Sequence, residues 1–169
     1  VVLTKVRPRS GWQQWVAREE AAFSPQSMPV EYTDEFGNLC QRVVAPAGKW
    51  SLCHDAEVHV SDAIDRPGSA PFVPVQHLPE ELLTYLSPSR YCESDRLHAI
   101  ASACTRDAAP GAPQVDALLH DIRQRLAYKP GTRGGPRSAL EVNEDSEAVC
   151  SDFAHLAISM CRALSIPAR

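Results

Sequence analysis

The sequence has no excess of positive charge: 17 Lys and Arg stand against 21 Asp and Glu, for a formal net charge of -4. The basic residues are scattered rather than clustered, so the chain offers no field for a polyphosphate backbone, and a nucleic-acid partner is not expected. No apolar run approaches the roughly 18 residues of a membrane span, which argues against a membrane partner. The opening Val1-Val2-Leu3-Thr4-Lys5 lacks the charged-then-apolar layout of a secretory leader and lacks an initiator Met, which points to a trimmed N-terminus. Cysteine is present but neither paired nor dense. Cys40, Cys53, Cys92, Cys104, Cys150 and Cys161 form no C-x-x-C pair, which excludes a small disulfide frame and predicts reduced thiols and a cytoplasmic location. Cys53, His54 and His59 fall in one segment, but Cys53 and His54 point to opposite faces of an alternating strand. The spacings match no common zinc site, so neither a metal nor a cofactor is expected.

What remains is a chain of 169 residues with 44% apolar content, enough for one medium domain or two small ones. Up to about residue 62 the pattern is that of strands: Val1 to Val6, Trp12 to Phe23, Val30 to Thr33, Cys40 to Val44 and Trp50 to Val60. Asp34-Glu35-Phe36-Gly37-Asn38 between two of them is a hairpin signal, because Gly and Asn accept positive φ. The alternation of Glu57 and His59 with Val58 and Val60 suits a half-buried strand. The sum is an antiparallel β-sheet or small sandwich over residues 1–64. From 65 to 79 the chain holds Pro67, Pro71, Pro74 and Pro79, which favours an extended connector without regular hydrogen bonding.

Beyond the connector, over 80–169, the apolar period changes from two to about 3.6. Glu80 to Leu86 predicts a short helix ended by Ser87-Pro88. Ser94 is placed as N-cap of a helix through Asp107, with Leu97, Ile100 and Cys104 along one face. Ala112 to Tyr128 predicts the clearest helix, with a stripe of Val115, Leu118, Leu119, Ile122 and Leu126. Gly131 to Pro136 then reads as a flexible loop. The whole is an α+β fold, strands first and helices after.

Cys150 stands where the last helix should begin, a position that lowers a thiol's pKa. Advancing 100° per residue from Cys150 places Phe153, Ala154, Ala157, Met160, Cys161 and Leu164 within about 80° of it, an apolar stripe that predicts a core-facing Cys150. Ser151, His155, Ser159 and Arg162 fall on the other side, so His155 is not placed to act as its base. The other histidines, at 54, 59, 77, 98 and 120, carry no local motif that marks a base. Cys161 reads as a small buried apolar residue. On the residues alone, Cys150 is either a buried structural thiol or a nucleophile supported by Asp152 in the first turn and by helix-start amides that could hold an oxyanion. Glu144, Asp145 and Glu147 add negative charge that opposes thiolate formation.

The stretch Ala148-Val149-Cys150-Ser151-Asp152-Phe153-Ala154-His155-Leu156 through Cys161-Arg162-Ala163-Leu164-Ser165-Ile166-Pro167-Ala168-Arg169 closely resembles the core motif of bacterial transglutaminase-like proteins, a papain-related superfamily. Arg7 to Gly11, Tyr32 to Asn38 and Pro88 to Cys92 are similar to the N-terminal region of these proteins. The resemblance implies that Cys150 is the nucleophile of a Cys-His-Asp triad that transfers or hydrolyses acyl groups at amide or peptide bonds, with a protein or peptide as substrate. It implies that residues 80–169 are the helical part of that catalytic domain, and that strands absent from this chain bring the His and Asp. No position here matches those two motifs, so the chain as printed is expected to be inactive. Asp152 and His155 match motif positions but read as cap or packing residues, while Ala148 and Ser165 stand where family members often have Gly. The alternative is a non-catalytic binding or scaffold protein on an enzyme-derived fold. An exposed sheet edge would also predict self-association.

Overall fold

The computed structural model describes residues 1–11, 13–63, 70–131 and 135–169. The chain divides into two compact units, Val1–Asp65 and Arg66–Arg169. The first is built of strands: β1 (Val2–Thr4), β2 (Gln14–Ser24), β3 (Val30–Thr33), β4 (Leu39–Val43) and β5 (Ser51–Val60). They make two antiparallel sheets, one ordered β1-β4-β3 and one pairing β2 with β5. The β3–β4 hairpin closes through Asp34, whose side chain accepts from the Phe36 and Asn38 N–H groups at 3.0 and 2.8 Å. Only Gly37 in that turn takes a positive φ, 75°, while Asn38 does not need one.

Among the described residues of this unit few are fully buried: Cys40, Gln41 and Val43 of β4. Charge therefore does part of the work of an apolar core. Arg7 grips Glu19 of β2 with two donors, Nε at 2.6 Å and Nη2 at 2.9 Å, and reaches Glu31 of β3 with Nη1 at 2.9 Å. The Gln41 amide donates to the same Glu31 at 3.0 Å, and His54 Nε2 bonds Glu19 at 3.0 Å. Arg7, then His54, hold the Glu19 carboxylate at about 2 against the opposing effect of burial. One ionic ladder thus spans both sheets.

The second unit holds α1 (Glu80–Leu83), α2 (His98–Cys104), α3 (Ala112–Arg125), β6 (Ala127–Tyr128), α4 (Ala139–Asn143), β7 (Glu147–Ala148) and α5 (Cys150–Ala163). Leu97, Ala101, Leu118, Ile122, Leu126, Val142, Leu156 and Met160 close into one apolar cluster. Several expectations are corrected here. Ser94 is not an N-cap; it opens a separate 3-10 turn, Ser94–Arg96, and α2 starts only at His98. The α3 stripe is narrower than its sequence suggests, because Leu119 remains 42% exposed, and the helix stops at Arg125 so that Ala127 and Tyr128 pair in parallel with Glu147 and Ala148. The proline-rich stretch is not wholly irregular either: Val75–His77 forms a 3-10 turn and Pro71 bridges Gly111. Part of that stretch, and residues 132–134 of the loop after Gly131, lie outside the described residues. The short helix α4 is capped by Ser138 and Glu141, each bonding the other's backbone N–H.

Helix α5 ends in a Schellman turn: Ile166 N–H reaches the Cys161 carbonyl at 3.0 Å and Ser165 N–H the Arg162 carbonyl at 2.9 Å. Ser165 sits there with φ 60°, a left-handed conformation that penalises any residue with a Cβ. Replacing Ser165 by Gly is expected to raise stability by about 0.5–1 kcal/mol, the relief of strain less the extra freedom of the unfolded chain. A thermal melt with an unchanged or lower midpoint would contradict this.

Candidate functional site

Strand β7 leads directly into α5, with Val149 as N-cap and Cys150 as the first helical residue. The helix forms here because Asp152, its third residue, turns its carboxylate back onto the Val149 N–H at 3.0 Å, satisfying a donor that the helix cannot. Amide groups of a first turn have no acceptor inside the helix, and their dipoles add up at this end.

Cys150 is exposed, which corrects the expectation that it faces the core. Of the buried residues of α5, Asp152, Leu156 and Ser159 lie about 120–180° round from Cys150 on a wheel of 100° per residue, while Met160 and Cys161 lie about 80° and 20° from it. Two of the three on the far side, Asp152 and Ser159, are polar, so a count of apolar positions misses that face. Both are satisfied: the Ser159 hydroxyl donates to the His155 carbonyl at 2.7 Å, and Asp152 meets the Val149 amide and a guanidinium. Cys161, at the far end, is buried, and burial pushes its thiol up to about 11, so it stays protonated and inert.

The guanidinium belongs to Arg137. Its Nη2 donates to Asp152 and to the Glu147 carbonyl of β7, the latter at 2.9 Å, while its Nη1 pairs with Asp145. Burial pushes the Asp152 carboxyl up, but Arg137 and the Val149 amide more than offset this and hold it below the ordinary range. The Arg137 guanidinium is in turn held more firmly charged, chiefly by Asp152. Glu147 pairs with Lys129 at 2.9 Å. Two of the three acidic residues that the sequence sets against a thiolate are therefore paired with cations. Phe153, one turn into α5, lies beside Tyr128 of β6 with ring centres 6.4 Å apart.

His155 is engaged elsewhere: its Nδ1 bonds the Arg137 carbonyl at 2.9 Å and its ring stacks on Tyr91 at 5.2 Å. His98 bonds the Ala163 carbonyl at 2.8 Å, near the opposite end of α5. His54 and His59 bond Glu19 and Glu57 within the first unit. Among the described residues no histidine is hydrogen-bonded to Cys150, and no group of three metal-ligating side chains is found. No helix of the described residues is long and apolar enough to cross a membrane.

The family model for the transglutaminase-like superfamily matches residues 98–169, the stretch from α2 to the end of the chain. That stretch is similar to the transglutaminase-like superfamily. A solved structure from Cytophaga hutchinsonii, named as a candidate cysteine protease, superposes with a TM-score of 0.82 at 27% identity, over 98% of this chain and 58% of that one. An uncharacterized protein of Mycobacterium leprae is 24% identical over 98% of this chain and 61% of its own length. The chain thus spans about three-fifths of the length of these relatives, both of which run through the β unit as well. Ala148, where the resemblance leads one to expect Gly, lies in β7 without a positive φ and is fully buried, so its methyl fits.

Sequence inspection missed Arg137. It lies in a Gly- and Pro-rich stretch that looks like a mere breaker. The signal that could have found it is the adjacent Ser138-Ala139-Leu140-Glu141 capping box, which fixes the residue before it in place.

Proposed function

We propose that the protein acts on amide or peptide bonds with Cys150 as its nucleophile. The observation that carries this reading is an exposed thiol on the first residue of α5, at the superfamily's nucleophile position, between a short strand and a buried, charge-paired cap. In this reading the Cys150 thiolate attacks the carbonyl carbon, and the N–H groups of Cys150 and Ser151 take the oxyanion, since those of Asp152 and Phe153 bond the Val149 carbonyl. Collapse expels the amine with a proton, leaving a thioester that water hydrolyses or a second amine intercepts. The base that takes the thiol proton is not one of the histidines described above, since His155 and His98 are committed to carbonyls. We therefore infer that the base and its orienting carboxylate come from residues outside this chain, and that the 169 residues alone turn over no substrate.

The test compares the 169-residue chain with the complete gene product, measuring ammonia release from a glutamine peptide and cleavage of a peptide mixture. Turnover by the complete product that falls by at least about 10³-fold in Cys150→Ala is expected. Turnover that survives this change removes Cys150 from the chemistry. If neither form is active and Cys150 alkylates with an ordinary thiol pKa, a binding or scaffold role replaces the enzyme reading.

A further inference from the structure

We propose that Arg137 is a positioning residue for Cys150: it neutralises the buried Asp152 carboxylate and ties β7 to the first turn of α5. The proposal rests on Cys150 being the nucleophile. Its basis is a conflict at the helix start. The cap that makes α5 begin at Cys150 is an anion only 2% exposed and two residues from the thiol. A carboxylate held there in low dielectric opposes a second negative charge on Cys150. A neutral Ser or Asn cap would avoid the problem, but this chain has Val149 at the N-cap, whose side chain cannot accept.

Arg137 resolves the conflict from a different element. The same Nη2 that pairs with Asp152 donates to the Glu147 carbonyl, so one guanidinium sets both the charge balance under Cys150 and the approach of the strand that delivers it. The other groups around the helix start are largely balanced among themselves. Lys129 after β6 pairs with Glu147, Asp145 takes Arg137 Nη1, and His155 faces the Arg137 carbonyl; Tyr128 of β6 lies beside Phe153, and Glu144 is exposed to solvent. Asp152 is thus the buried anion at the helix start, and Arg137 is its charge partner among the pairs described.

The experiment is alkylation of the full chain across a pH series, resolved by peptide mass spectrometry. Exposed Cys53, in the other unit, serves as internal reference. Arg137→Gln is expected to raise the Cys150 midpoint by about 1 pH unit or more, with Cys53 unmoved. Arg137→Lys, which keeps the charge, should recover most of that shift. Asp152→Asn removes the buried anion while Arg137 stays, still paired with Asp145, and should lower the midpoint, and the double variant should return toward the parent. A merely structural Arg137 would change melting without ordering the midpoints this way. If Arg137→Gln does not fold, Asp152→Asn and Arg137→Lys decide. A Cys150 midpoint unmoved by Asp152→Asn overturns the proposal. Because the comparison is between variants of one thiol, an inactive gene product would sink the nucleophile reading without altering this result.

Discussion

Gly111→Ala is expected to destabilise the second unit by about 3–5 kcal/mol, as a fall in its urea midpoint. Gly111 precedes α3 with φ 104° and ψ -138°, a region that essentially only glycine occupies. It is also packed against backbone. A Cβ built there would lie 2.4 Å from the Ala70 carbonyl oxygen, 2.5 Å from Phe72 N and 2.6 Å from the Pro71 carbonyl carbon. None of these can swing aside as a side-chain tip could, and the segment is pinned by the Ala112 N–H bond to the Ala70 carbonyl at 2.9 Å. Backbone strain and overpacking each cost about 1–3 kcal/mol, against a return of less than 1 kcal/mol from the stiffer unfolded chain. With total stabilities of about 5–15 kcal/mol, the loss is a large share. A change under about 1 kcal/mol would show that residues 70–72 give way freely. The site would feel the loss, since Leu118 and Ile122 of α3 and Leu156 and Met160 of α5 belong to one core.

Strand positions were legible in the sequence: Val30 to Thr33 is found with the same bounds as β3, and the alternation of Glu57 and His59 with Val58 and Val60 falls within β5. The start of α5 at Cys150 was legible too, through the motif and the carboxylate at its third position. What failed did so for identifiable reasons. The orientation of Cys150 was misjudged because burial of Asp152 and Ser159 depends on partners, one of which, Arg137, is 15 residues away in sequence. The elements α4 and β7, of five and two residues, are too short for periodicity to show. Leu126 was assigned to α3 on its apolar character, which a buried extended residue shares with a helical one.

Asp152→Ala is the second large effect expected, about 3–5 kcal/mol of lost stability. The substitution removes the acceptor for the Val149 N–H, worth about 0.5–2 kcal/mol in caps of this kind, and strands Arg137, whose Nε is already buried without a partner. The cost of a half-buried guanidinium deprived of its carboxylate dominates, since breaking such a pair is far worse than never having made it. Asp152→Asn keeps shape and acceptor and should cost less. Acid separates the charge from the shape. Arg137 and the Val149 amide hold the folded-state pKa below the ordinary 3.8 despite burial, so the unfolded chain binds the proton more tightly. The stabilisation is therefore complete above about pH 4 and is lost as pH falls through the folded-state value. Urea midpoints measured from pH 7 down to 2 should drop more steeply in the parent than in Asp152→Asn. Equal slopes would mean that Asp152 caps α5 by its oxygen alone, and that its charge is no part of what holds Cys150 in place.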